Sequence, residues 1–76
     1  MVLVDIIRTS DDPAILDAME RTRARDRKYG NKKRSARNYE WVAMVAARQV
    51  GRHFTKGVRL EAGRILAEQE FSSRSV

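Results

Sequence analysis

The sequence predicts one small, mainly α-helical domain of two to three helices, preceded by a short N-terminal strand or extended arm. Of its 76 residues 42% are apolar, which is enough for a single core. In the middle and last parts of the chain, apolar residues recur at the three- and four-residue spacings of a helix. The chain contains no cysteine, so disulfides and thiolate metal sites cannot stabilise it. We expect a domain at residues 1–71 with a basic joint at 21–37, and a disordered tail at 72–76.

The first element is predicted from the segment VLVDII, residues 2–7. Its β-branched residues favour a short strand or an extended arm. This apolar stretch contains an acid and is not preceded by basic residues, and both features argue against a signal peptide. The longest apolar run, WVAMVAA at 41–47, is far shorter than the ~18 residues that span a bilayer. We therefore expect no membrane association and a cytoplasmic protein, in the host cell cytoplasm if the gene belongs to a phage.

The first helix is predicted to begin after Asp12, which precedes Pro13, the residue best tolerated at the first helical position. Spacings of three and four connect the residues of its apolar stripe, Ile15, Leu16, Met19 and Thr22. Beyond this stripe the chain has nothing to bury, and Gly30 is typical of a helix end. The helix should therefore end near Tyr29.

The second helix is predicted at roughly 38–55, after a linker at 31–38, with Ser35 and Asn38 as competing caps. One side of this helix carries the expected core residues, Tyr39, Ala43, Ala46, Ala47, Val50 and Phe54. The opposite side carries Trp41, Val45, Arg48 and Arg52. Two apolar faces indicate a helix that is central in the domain or that meets a partner.

The last part of the chain allows two interpretations. Residues 64–71 favour a helix, whereas 57–63 alternate apolar and charged residues and fit either a helix or a strand paired with 2–7. A helix-turn-helix, with TKGVRLEAGR at 55–64 as its recognition element, has the correct spacing from Ala47 to Gly51. It places Arg52 and Gly57 where apolar residues are expected, so it remains an alternative.

Catalytic chemistry is not indicated. His53 is the single histidine, which excludes most triads and clustered metal sites. Asp11 and Asp12 could form a carboxylate pair for acid–base catalysis, but their position before Pro13 favours helix capping. We expect a protein that is not an enzyme, with no cofactor, no metal and no small-molecule substrate.

The segment RTRARDRKYGNKKRSAR, residues 21–37, carries nine of the sixteen basic residues and one of the ten acids. The rest of the chain is nearly neutral. Lys and Arg neutralise phosphates and release counterions, so a concentrated basic segment favours nucleic-acid binding. The predicted phosphate-binding residues are Arg21, Arg23, Arg25, Arg27, Lys28, Lys32, Lys33, Arg34 and Arg37. Tyr29 and Tyr39 flank the segment and could stack on unpaired bases.

The stretch RTRARDRK resembles in composition the arginine-rich RNA-binding peptides of phage antitermination proteins. The resemblance covers about a tenth of the chain and implies RNA as a partner. The alternative is a solvated helix end followed by a linker. Ordinary solvated faces mix acids with bases, whereas this segment has Asp26 alone.

We therefore expect a small basic nucleic-acid-binding regulator of transcription that uses DNA or RNA. A second hypothesis is an adaptor or inhibitor of a large machine such as RNA polymerase, with the basic segment near the nucleic acid that the machine holds. The residues predicted to dock on such a protein are Val2, Leu3, Val4, Trp41, Val45, Arg48 and Arg52. Trp and Arg are enriched in binding hot spots, although a core position for Trp41 is the alternative.

Overall fold

The computed structural model describes residues 2–74, with the side chains of Lys32 and Arg74 excepted. Within this range the chain forms four helices and no strand: α1 (Leu3–Thr9), α2 (Pro13–Tyr29), α3 (Lys32–Val50) and α4 (Lys56–Arg74). The mainly helical prediction is confirmed, although the described residues form four helices and two to three were predicted. Helix α3 packs against each of the other three, so it is the central helix of the domain.

Helix α1 replaces the predicted N-terminal strand or extended arm, which is wrong. Leu3 and Ile7 lie four residues apart and both side chains are buried in the core. This spacing is one helical turn, and it allows a short helix to place both residues on the same face. A strand at 2–7 would also lack its proposed partner, because 57–63 belong to α4.

Helix α2 begins as predicted, with Asp12 as its N-cap and Pro13 in the first turn. The Asp12 carboxylate accepts a hydrogen bond from the Ala14 amide at 2.8 Å and another from the Gln49 side chain at 3.1 Å. The second bond ties the start of α2 to the end of α3, so the two helices run antiparallel. The predicted end at Tyr29 is confirmed. Leu16, which the sequence placed in the apolar stripe, is exposed.

The predicted linker at 31–38 is wrong, because a turn of only two residues, Gly30 and Asn31, joins α2 to α3. The cap of α3 is Asn31, whose side chain accepts from the Arg34 amide at 3.0 Å. Ser35 and Asn38 do not cap the helix, since both donate to Asp26 on α2, at 2.5 Å and 3.4 Å. A Cβ atom at Gly30 would lie 2.2 Å from an Asp26 carboxylate oxygen, so the turn requires glycine.

Helix α3 supplies much of the core. Tyr39, Val42, Ala43 and Ala46 are fully buried, whereas the predicted core residue Val50 is exposed. The helix ends at Gly51, which adopts the left-handed conformation (φ 67°) that favours glycine. The end therefore comes five residues before the predicted one, and the segment with Arg52 and Phe54 lies in the connection to α4.

Helix α4 begins after Thr55, whose hydroxyl accepts from the Val58 amide, so residues 57–63 are helical. It runs back along α3, and Phe71 near its end lines the same groove as Lys33 near the start of α3. The helix-turn-helix alternative is wrong. Its two helices would cross at roughly 90–120°, whereas α4 lies along the length of α3. The predicted tail is helical over 72–74, and its residues 75–76 lie outside the described range.

The contact between α3 and α4 depends on Gly63. A Cβ atom at this position would lie 2.7 Å from both the Ala36 carbonyl oxygen and the Glu40 amide nitrogen. The backbones of the two helices therefore touch, and small residues such as Ala62 and Ala67 fill the contact around this point.

Candidate nucleic-acid interface

Acidic residues of α4 form ion pairs with three arginines. Glu70 on α4 accepts from Arg23 on α2 at 2.9 Å and from Arg8 on α1 at 3.3 Å. Arg64 bridges Glu61 and Glu68 along α4. Arg23, predicted to contact phosphate, therefore takes part in an ion pair that joins helices.

The Glu70 site perturbs the pKa values of both partners. Burial alone would raise the pKa of the Glu70 carboxyl, but hydrogen bonds and charges from Arg23 and Arg8 outweigh it and leave this pKa below its ordinary value. The same hydrogen bond raises the pKa of Arg23. The pair is thus held in its charged form at neutral pH.

Asp26, the single acid of the basic segment, is buried with only 2% of its surface exposed. Its carboxylate accepts hydrogen bonds from Ser35 and Asn38 across the α2–α3 turn. The sequence analysis noted Asp26 only as the single acid of the segment. In the folded protein this carboxylate is withdrawn from the surface, so the exposed charged side chains of the segment are all positive.

A cleft of about 430 Å³ lies between α2 and α3. It is on the flank of α2 away from Arg23, the partner of Glu70. Arg21 and Arg25, one turn apart on α2, form one wall, and Arg37 and Trp41, one turn apart on α3, form the other. We call this site the arginine cleft; its remaining lining residues are Thr22 and Asn38. Because α2 and α3 run antiparallel from a two-residue turn, residues at similar distances from the turn face one another.

Beside its arginines, the cleft is lined by Thr22, Asn38 and Trp41. Thr22 is 3% exposed, and its hydroxyl makes no hydrogen bond to another described residue. Trp41 is 45% exposed, so its indole is open to solvent. A buried hydroxyl without a partner loses its hydration without compensation, and a bound water, ion or ligand would supply the missing hydrogen bond.

The basic residues of the segment divide between two sides of the molecule. On α3, Arg34, Arg37, Trp41, Val45 and Arg48 follow spacings of three and four and therefore share one face. Arg27 lies on the other flank of α2 from Arg25 and donates to the Arg23 carbonyl. Lys33 borders the groove between α3 and α4, and the side chain of Lys32 lies outside the described part of the chain.

The remaining aromatic residues differ in their exposure. Tyr29 is exposed and Lys28 lies over its ring at 5.3 Å, so base stacking there stays a prediction. Tyr39 is 0% exposed and packs in the core, which contradicts its predicted stacking role. Arg52 stacks on the ring of Phe54 at 5.0 Å in the α3–α4 connection.

The predicted docking residues at the N-terminus do not form an arm. Leu3 is a core residue, which contradicts its docking role, and Val4 is half-buried against the same core. Val2 is exposed just before α1. Of the predicted docking set, Trp41, Arg48 and Arg52 are exposed, and Val45 is half-buried.

Sequence reasoning separated Trp41 from the basic segment, treated Asn38 as a cap and Thr22 as part of an apolar stripe, and placed neither in a binding site. A signal was present, because Arg21 and Trp41 lie at nearly equal distances on either side of Gly30 and Asn31. A two-residue turn there places them opposite each other. The predicted linker at 31–38 concealed this relation.

Comparison of the chain with protein-family models, with curated proteins and with solved structures found no match. Within residues 2–74, no helix combines the length and the apolar content needed to cross a bilayer. The site is therefore interpreted from its own chemistry.

Proposed function

We propose that this chain is a small nucleic-acid-binding protein that regulates transcription, and that the face around the arginine cleft contacts phosphates. The observation that carries the proposal is the convergence of Arg21, Arg25 and Arg37 on one cleft, with Asp26 buried behind them. Guanidinium groups bind phosphate oxygens through two parallel hydrogen bonds. Three of them around a cleft would fit the spaced charges of a nucleic-acid backbone.

The ion pairs of the protein support this choice of face. Arg8, Arg23 and Arg64, none of which lines the cleft, have carboxylate partners on α4. Within residues 2–74, Arg25 and Arg37 form no salt bridge, and Arg21 has only an exposed contact with Asp17 at 2.9 Å. Exposed pairs of this kind contribute about 0–1 kcal/mol, so a phosphate could displace Asp17 at little cost.

Charge reversal at two positions on α2 tests the proposal. Arg25 lines the cleft and Arg27 does not, yet both are exposed and only two residues apart. We expect Arg25→Glu to weaken binding to DNA and RNA oligonucleotides by about tenfold or more, since it removes one phosphate contact and adds repulsion. Arg27→Glu, the matched control with the same change of net charge, should weaken binding by less than about threefold.

Fluorescence anisotropy with labelled oligonucleotides at fixed salt measures both affinities. Equal losses for the two variants would contradict the proposed face and indicate that net charge alone drives binding. No binding by the wild-type protein at low salt would contradict the function itself.

An adaptor for a large machine such as RNA polymerase is the second candidate, and the exposure of Trp41 beside Arg48 on α3 favours it. Trp and Arg anchor many protein interfaces. Purified RNA polymerase, stripped of nucleic acid, provides the test. Retention of the wild-type protein at high salt, and its loss with Trp41→Ala, would support the adaptor; no retention would remove it.

A further inference from the structure

The arginine cleft combines a stacking surface with phosphate-binding groups. We infer that it holds one unpaired base against the indole of Trp41, so that the protein binds single-stranded nucleic acid in preference to duplex. This inference rests on the proposed function and specifies its ligand. It assigns to Trp41 a role in base recognition, in place of the protein-docking role that the sequence predicted.

The position of Trp41 supports an aromatic contact with a base. Its indole forms one wall of the cleft and is 45% exposed, although tryptophan is usually well buried in small domains. Aromatic side chains bind single strands because every base offers a π-face for stacking. In a duplex those faces are already covered by neighbouring bases, so an indole inside a cleft can stack only on a base that is unpaired.

The shape of the site also favours an unpaired base as its ligand. Its volume of about 430 Å³ lies in the lower part of the range of about 300–1,000 Å³ that holds small organic ligands. A duplex is read by an element that protrudes into a groove, whereas this site is concave and lies between two helices. A concave site of this size fits a base that projects from its strand.

Polar residues in the lining can recognise the edge of that base. Thr22 lines the cleft, and its buried hydroxyl has no partner among the described residues. Asn38, also in the lining, uses one amide hydrogen in a long bond of 3.4 Å to Asp26. A hydroxyl both donates and accepts, so a base edge would satisfy the group that the fold leaves unpaired.

The arginines then lie where the flanking phosphates would run. Arg25 and Arg37 border the cleft from opposite helices, and neither has a salt-bridge partner among residues 2–74. Arg21 stands one turn away from Arg25 along α2. A strand passing along the cleft would thus meet guanidinium groups on both sides of a base stacked on Trp41.

The test uses the fluorescence of Trp41, which is the single tryptophan of the chain. The intact protein is titrated with a single-stranded oligonucleotide and with a duplex of the same length, in DNA and RNA forms, at one salt concentration. We expect the single strand to quench the indole strongly and to bind at least about tenfold more tightly than the duplex. The duplex should leave the emission nearly unchanged.

Variants separate stacking from charge. Trp41→Ala should weaken single-strand binding by about tenfold, within the range found for loss of one stacked base, and leave duplex binding unchanged. Met44→Ala, at an exposed position of the same helix outside the cleft, is the control and should change neither. Thr22→Val keeps the side-chain shape and should weaken single-strand binding by about threefold or more.

The outcomes distinguish the inference from the proposed function. Equal affinity for single strand and duplex, with no quenching of Trp41, overturns the inference, whereas sensitivity to Arg25→Glu in the same assay keeps the proposed function. A phosphorylated peptide is the comparison ligand. If it quenches Trp41 and competes for the cleft as strongly as the oligonucleotide does, the inference is overturned. The quenching measurement uses the wild-type protein, so it decides the question even if Trp41→Ala fails to fold.

Discussion

Two acidic side chains, Asp26 and Glu70, hold helices together from within the protein. Asp26 fixes the turn between α2 and α3 through Ser35 and Asn38. Glu70 joins α4 to α1 and α2 through Arg8 and Arg23. Each carboxylate is satisfied by directed hydrogen bonds, which compensate for its loss of hydration. Both acids therefore stabilise the fold, and Glu70 also engages two arginines that would otherwise be available for a ligand.

Replacement of Glu70 by glutamine should make the protein less sensitive to acid. The pKa of Glu70 is lowered from the ordinary value of 4.5, so its ionised form stabilises the folded state above that pH. This contribution is lost as the pH falls through the lowered pKa. At pH 7 we expect Glu70→Gln to reduce the free energy of unfolding by about 2 kcal/mol, the scale of a charged hydrogen bond. Once the pH lies well below this lowered pKa, the two proteins should have the same stability.

Urea denaturation between pH 3 and pH 7 measures this dependence. Glu68→Gln removes an exposed partner of Arg64 and is the matched control, with an expected change below about 0.5 kcal/mol. A constant difference between wild type and Glu70→Gln at every pH would contradict the assignment.

At the scale of the helices, the contact of α3 with α4 depends on the lack of a side chain at Gly63. Gly63→Ala would place a methyl group 2.7 Å from backbone atoms of Ala36 and Glu40. Backbone atoms cannot move aside as a flexible side chain can, so the helices must separate. We expect a loss of about 1–3 kcal/mol, the usual cost of overpacking, measured by thermal or chemical denaturation.

Gly57→Ala is the control for this prediction, because a Cβ atom there would approach nothing closer than the Thr55 hydroxyl at 4.0 Å. Both glycines lie in α4, and alanine has the higher helix propensity. Gly57→Ala should be neutral or slightly stabilising. A stable Gly63→Ala protein would show that α3 and α4 can shift apart without loss of packing.

The helices themselves could be predicted from the sequence where a cap and an apolar stripe agreed. This was true at the start of α2, where Asp12 and Pro13 marked the boundary. It failed at α1, because β-branched composition outweighed the four-residue spacing of Leu3 and Ile7. It also failed at the start of α3, where the many charges of 31–38 suggested a linker. There the helix is stabilised by contacts with Asp26, which only the tertiary fold supplies.

The residues of the candidate site could be predicted only in part. Charge density alone identified Arg21, Arg25 and Arg37, but it could not separate them from Arg23 and Arg27 on the other flank of α2. That separation follows from the orientation of α2 against α3 and α4. The burial of Tyr39 and the exposure of Trp41 depend on the same packing, because both residues lie on apolar faces of one helix.

For the whole molecule, the segregation of charge predicts how binding depends on salt. The chain carries a net charge of +6, yet the phosphate contacts proposed on this face come from five arginines: Arg21, Arg25, Arg34, Arg37 and Arg48. If all five neutralise phosphates, the slope of log affinity against log salt on a single strand should be about −3.5. Arg25→Glu should reduce the magnitude of this slope by about one, whereas Arg27→Glu should leave it unchanged.

Titrations at several salt concentrations give the slope directly. A slope beyond about −6 would mean that cations outside this face also contact the strand. An unchanged slope for Arg25→Glu would remove that residue from the interface.

The two-residue turn of Gly30 and Asn31 also bears on when the binding surface forms during folding. Both walls of the cleft belong to one helical hairpin, so their contacts join residues that are close in sequence. Contacts between residues that are close in sequence form rapidly, and helical domains rich in such contacts fold within microseconds to milliseconds. The contact of Gly63 on α4 with Ala36 and Glu40 on α3 joins residues that are further apart in sequence. We therefore expect the cleft to form early in refolding, before α4 completes the core.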